Sequence, residues 1–70
     1  MNVFKEKGIT HLDLHGVKHQ AVNDEVLDFI YQYQSEIPLI IICGNSNRII
    51  EIVEESLHKS SIMFSMPRFG

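Results

Sequence analysis

Asp13-Leu14-His15 is the stretch of this chain best equipped to do chemistry. Residues two apart on an extended strand project from the same side, which makes the carboxylate and the imidazole neighbours. A carboxylate beside a histidine fixes the ring tautomer and raises its basicity, which suits general acid–base work near neutral pH. The same spacing also describes a strand whose polar side merely faces water. His11 extends the row to His-x-Asp-x-His, a spacing compatible with zinc or manganese if His19 supplied a further ligand. Most such rows on an exposed strand bind nothing, and no metal or other cofactor is expected.

A second segment, Gly44-Asn45-Ser46-Asn47-Arg48, has turn chemistry followed by a helical pattern. Ser46 or Asn47 can cap that helix. The free N–H groups and the positive dipole end of a helix start favour a phosphate. Gly44 permits close backbone approach, and Arg48 can add a bidentate contact. Simple capping is the commoner explanation of such a turn. Cys43, at a strand end before a glycine, has the position of a nucleophile, but a small buried hydrophobe closing an apolar strand is the better account. His58, late in a helix, is expected to be solvated and favoured by the helix dipole.

The elements that must position these residues follow from hydrophobic period. Ile9–His15 alternates, with Leu12 and Leu14 on one side and His11, Asp13 and His15 on the other, so a strand is expected there. From Val17 to Gln34 the apolar residues Val22, Val26, Phe29, Ile30 and Tyr33 form one helical stripe. Pro38 bars its continuation. Leu39–Cys43 is a short, wholly apolar run that predicts an interior strand. Asn47–Lys59 repeats the helical spacing with Ile49, Ile50, Val53 and Leu57 inward. After a loop at Ser60-Ser61, Ile62–Met66 predicts a third strand stopped by Pro67. The expected fold is therefore α/β: a two-layer β-α-β-α-β arrangement, mostly parallel, with two helices on one face. Ligands of such sheets bind beyond the carboxyl ends of the strands, where His15-Gly16 and Cys43–Asn47 both lie.

Composition bounds the function. A chain of 70 residues has room for one domain, and one this short buries only roughly 60% of its unfolded surface. Its 44% apolar and 21% charged residues suit a globular domain rather than a disordered one. The single cysteine forms no internal disulfide, which makes the cytoplasm the expected compartment. The first residues lack a signal-peptide apolar region and no apolar run approaches a membrane span, so no membrane partner is expected. The net charge of −3 opposes nucleic-acid binding. However, Asp24, Glu25, Asp28, Glu51, Glu54 and Glu55 all fall in the expected helices, whereas Lys5, Lys7, Lys18, Arg48 and Arg68 lie outside the acidic runs. A locally basic mouth on an acidic body is consistent with this distribution.

Leu12-Asp13-Leu14-His15-Gly16, leading into a helix through Val17 and Ala21, resembles the LDLHG motif of the small MutS-related (Smr) domain family. The family's second motif, His or Thr, then Gly, any residue, and Gly, closes a strand about 25 to 35 residues later, where this chain has Cys43-Gly44-Asn45-Ser46. The resemblance covers about Thr10 to Leu57. It implies a βαβαββ sandwich like the C-terminal domain of translation initiation factor three, within a single domain over residues 1–70. It also implies nicking or endonuclease activity on DNA or RNA. The catalytic Asp and His of the first motif fall on Asp13 and His15, and the Gly of the second falls on Gly44. Cys43 and Ser46 depart from the family pattern. Family members close with an antiparallel strand for which no residues remain after Gly70, so that strand is expected to be missing.

Together these observations predict an endonuclease or nickase, with RNA favoured over DNA because a ribose 2′-OH can serve as the nucleophile. Asp13 and His15 are its expected catalytic pair. Gly16, Lys18, Gly44, Asn45, Ser46, Asn47 and Arg48 are the expected phosphate contacts. The alternatives are a nucleic-acid- or ribosome-binding module without turnover, and a metal-dependent phosphoesterase using His11, Asp13, His15 and His19.

Overall fold

The computed structural model describes residues 2–64. Three strands, β1 (Val3–Glu6), β2 (Ile9–Asp13) and β3 (Leu39–Ile42), form a mixed sheet in the order β1-β2-β3. Two helices, α1 (His19–Tyr33) and α2 (Asn47–Lys59), cover one face of it, and a 3-10 turn at Gln34–Glu36 leads from α1 toward β3. β2 runs parallel to β3 and antiparallel to β1.

The hairpin joining β1 to β2 was not evident in the sequence. Its two-residue turn is Lys7-Gly8, with φ of 52° and 80°. Positive φ at both central residues is the geometry whose twist matches the flanking strands. β1 itself shows no clean apolar–polar alternation. Val3 and Lys5 take the helix-covered side, opposite Leu12 and Thr10, while Phe4 and Glu6 take the other, opposite His11 and Ile9.

The core unites Leu12 and Leu14 with Val22, Val26 and Phe29 of α1 and Ile49, Val53 and Leu57 of α2, all buried. These are the residues that the strand and helix periods place inward, except that Ile52 rather than Ile50 packs against this cluster from α2. Each such side chain contributes roughly 1.5–3 kcal/mol by leaving water. The buried Ser56 hydroxyl ties the helices together. It pairs with the Asn23 side-chain amide of α1 and hydrogen-bonds the Ile52 carbonyl oxygen at 2.8 Å.

Four expectations need correction. The sheet is mixed rather than mostly parallel, because β1 supplies an antiparallel neighbour to β2. Among the described residues β3 is an edge strand, not an interior one. Helices cover only one side of it, and Ile40 on the other side is 39% exposed. His11 is buried rather than part of a solvated polar row, because Phe4 of β1 lies against it. Ile62–Phe64 follow α2 without regular structure; the rest of that expected strand, Ser65 and Met66, lies outside the described residues.

One polar cluster pins the hairpin to the end of α1. Glu36 Oε1 lies 3.1 Å from Lys5 Nζ and accepts a hydrogen bond from Thr10 Oγ1 at 3.2 Å. Those two bonds, Lys5 first, hold its carboxyl below the ordinary carboxylate range. A carboxyl depressed in the folded state adds stability above its unfolded pKa and loses it as the pH falls through the folded value. Wild type is therefore expected to exceed Glu36→Gln slightly in urea stability at pH 7. The gap should shrink between pH 7 and about pH 3, below the ordinary glutamate pKa of about 4.3, and close once the pH lies below the lowered folded value. An equal gap at both pH values would show that the cluster does not act through ionisation.

Candidate functional site

β2 and β3 run in parallel register, Asp13 opposite Ile42, and the Leu14 N–H donates to the Ile42 carbonyl at 2.9 Å, one residue beyond the assigned strand. Parallel strands in register deliver their outgoing turns to the same end of the sheet. One turn is Leu14–Val17, closed by a hydrogen bond from Val17 N–H to the Leu14 carbonyl at 3.0 Å, with Gly16 at φ 81°. A positive φ at the third position of a four-residue turn defines type II and favours glycine there. The other turn is Cys43–Ser46, with Gly44 at φ 67°.

The two turns meet at His15. Its Nδ1 lies 4.0 Å from where a Cβ on Gly44 would sit, so the exposed imidazole stands against the backbone of the second turn. Of the expected residues, this proximity brings together His15 and Gly44. Asn45, Ser46, Asn47 and Arg48 continue from Gly44 into α2, while Gly16 and Lys18 continue from His15 into α1. Lys18 is the N-cap of α1, without a side-chain cap bond, and like Arg48 it is exposed.

Asp13 plays a more local part than its spacing suggests. Its Oδ1 accepts the His15 backbone N–H at 2.9 Å, so the carboxylate braces the turn that presents the imidazole. No hydrogen bond between this carboxylate and the His15 ring occurs among the described residues. Ser46 is the N-cap of α2. Its Oγ accepts from the Ile49 N–H at 3.2 Å, while its own hydroxyl proton remains able to donate. The N–H groups of Asn47 and Arg48, in the first turn, have no acceptor within the helix.

Ser46 gives a test of this geometry. Ser46→Ala is expected to cost about 1 kcal/mol of stability. Ser46→Asp preserves the cap, and so should retain stability in urea melts while placing a negative charge where phosphate would lie. Oligonucleotide binding that survives Ser46→Asp undiminished would remove this turn from the site.

Cys43 packs against the core, and burial, followed by the Glu54 carboxylate, pushes its thiol up from the ordinary value. That favours the inert thiol over the nucleophile. His11 directs Nδ1 at the Ile9 carbonyl oxygen, 2.8 Å away, which engages one ring nitrogen. Among the described residues, no three His, Cys, Asp or Glu side chains gather closely enough to hold a metal ion. An open groove of about 900 Å³ runs along α1, but Asp24, Glu25 and Asp28 line it and none of the candidate residues does. Those carboxylates disfavour phosphate in the groove.

No helix among the described residues is long and apolar enough to cross a membrane. Phe4 is the notable surface residue that sequence patterning missed, because β1 itself was missed. No protein-family model, curated protein or solved structure matches this chain.

Proposed function

We propose that this domain binds and cleaves a nucleic-acid phosphodiester at the mouth formed by the two turns, in the manner expected of an Smr-type endonuclease. The observation that carries the proposal is the His15 imidazole standing against the Gly44 turn at the start of α2. A proton-transfer group and a phosphate-favouring helix terminus occur side by side, each on a turn that requires a glycine. The motif resemblance and this proximity both support the reading.

In this proposal the phosphate accepts hydrogen bonds from the Asn47 and Arg48 N–H groups and the Ser46 hydroxyl, with Gly44 and Asn45 leaving room for it. On RNA, His15 removes the 2′-OH proton as the 2′-oxygen attacks phosphorus; the P–O5′ bond breaks, leaving a 2′,3′-cyclic phosphate, and the departing 5′-oxygen takes a proton from water. Lys18 and Arg48 offset the negative charge that accumulates. Asp13 holds the His15 backbone, and hence the ring's starting position. RNA is preferred over DNA because the 2′-OH supplies an internal nucleophile. A cytoplasmic location suits both the substrate and the unpaired thiol.

A binding module without turnover is the second reading, and one observation favours it. The Asp13 carboxylate bonds to the main chain of His15 rather than to its imidazole. Incubating labelled single-stranded RNA, duplex RNA and plasmid DNA with the protein, with and without chelator, separates the alternatives. Chelator-resistant cleavage supports the metal-free Asp/His site, and chelator-sensitive cleavage the phosphoesterase. Salt-dependent binding without cleavage supports the module.

A further inference from the structure

Phe4 of β1 stacks on His11 of β2, with ring centroids 4.9 Å apart and planes 11° from parallel. The pair occupies the sheet face that the helices leave bare, in register across the two strands, with Ile40 on the far side of His11. His11 is only 8% exposed while Phe4 is 41% exposed. A ring covered on one face and exposed to that degree presents its other face to solvent. What sets Phe4 apart from the other exposed apolar residues is its parallel stack on a buried ring, which makes a flat aromatic step.

We propose that this step stacks an unpaired base of single-stranded nucleic acid whose backbone enters the His15 mouth. The inference rests on the phosphodiester reading above and narrows its substrate class to unpaired strands. Three features support it. Phe4 of β1 shares one face of the sheet with His11 and Asp13 of β2, and His11, the ring beside Phe4, lies four residues, about 13 Å along an extended chain, from His15. Cations stand beyond both ends of β2, Lys7 in the hairpin turn before it and Lys18 with Arg48 past the strand ends, all exposed. Between them Glu6 and Asp13 share the face, so a broad positive field cannot carry the contact. Ring stacking, which needs no charge, can. A duplex hides its base faces and cannot use such a step.

The test is fluorescence anisotropy with a labelled 2′-O-methyl-adenosine octamer, which lacks the free 2′-OH, and an abasic octamer of equal charge. Wild type, Phe4→Leu, Phe4→Trp and Arg48→Ala are compared, each checked for folding by circular dichroism. Wild type is expected to prefer the adenosine octamer about tenfold, in the range of one stacked base. Phe4→Leu should erase that preference while leaving abasic binding unchanged, Phe4→Trp should keep it, and Arg48→Ala should weaken both oligonucleotides alike. Equal affinity of wild type for the two octamers, with Arg48→Ala still weakening both, would overturn the stacking step and leave the phosphate site standing. Absence of binding to either would overturn both. Self-association of wild type in sedimentation that Phe4→Leu abolishes would assign the face to a second copy instead, and overturn the proposal.

Discussion

His15→Ala is expected to lower the rate of RNA cleavage by about 10²- to 10⁴-fold, the range for loss of a positioned general acid or base. Oligonucleotide affinity should change by no more than a fewfold. The asymmetry follows from the site's geometry. The groups proposed to hold phosphate belong to the turn and first residues of α2, and Ser46 keeps its cap bond to Ile49 whether or not the imidazole is present. The His15 side chain is exposed and its removal opens no cavity, so circular dichroism and urea midpoints should match wild type. Asp13→Asn is the informative companion. An amide oxygen can still accept the His15 backbone N–H, so if Asp13 only braces the turn, this variant should retain most activity. If its charge acts on the imidazole, it should resemble His15→Ala. Unchanged cleavage in His15→Ala would remove the residue from any chemical role.

The second large effect concerns the platform on which that mouth stands. Leu14 is fully buried, yet sits between Asp13 and His15, so one strand end anchors the core and holds the residues proposed for the chemistry. Leu14→Ala is expected to cost about 2–5 kcal/mol. A domain of this length has only roughly 0.05–0.15 kcal/mol per residue in total. The variant should therefore melt far below wild type or be unfolded at 25 °C, and lose binding together with structure. Thermal melts followed by circular dichroism measure this directly. A well-folded Leu14→Ala would mean that the β2 end is not anchored as described.

Much of this arrangement was legible in the sequence, because the signals are local. The Leu12/Leu14 alternation and the Val22, Val26, Phe29 spacing placed β2 and α1 on their correct faces, and Ser46 was one of two residues expected to cap α2. What escaped depended on long-range pairing or on unfamiliar turn chemistry. Lys7-Gly8 adopts the hairpin geometry without the Asn-Gly or Asp-Gly pair that usually announces it. β1 mixes Val3 and Lys5 on one side with Phe4 and Glu6 on the other, so no period marks it. Missing β1 meant that His11 was expected to face water, whereas Phe4 covers it. The apolar run Leu39–Cys43 looked like an interior strand because composition cannot tell a covered face from a bare one. The spacing of Asp13 and His15 predicted a carboxylate beside an imidazole on one strand face, whereas β2 ends at Asp13, His15 lies in the following turn, and the bond that forms runs from the His15 backbone N–H to the carboxylate.

The central claim is that His15 and the turn opening α2 form one phosphate-binding mouth. The most direct measurement is an amide chemical-shift titration of the ¹⁵N-labelled protein with a short single-stranded RNA. The account predicts that the largest shifts fall together on His15, Gly16 and residues 44–48, with one saturation curve and an affinity that declines as salt rises. Shifts confined to the acidic groove along α1, or separate saturation of the two turns, would contradict it.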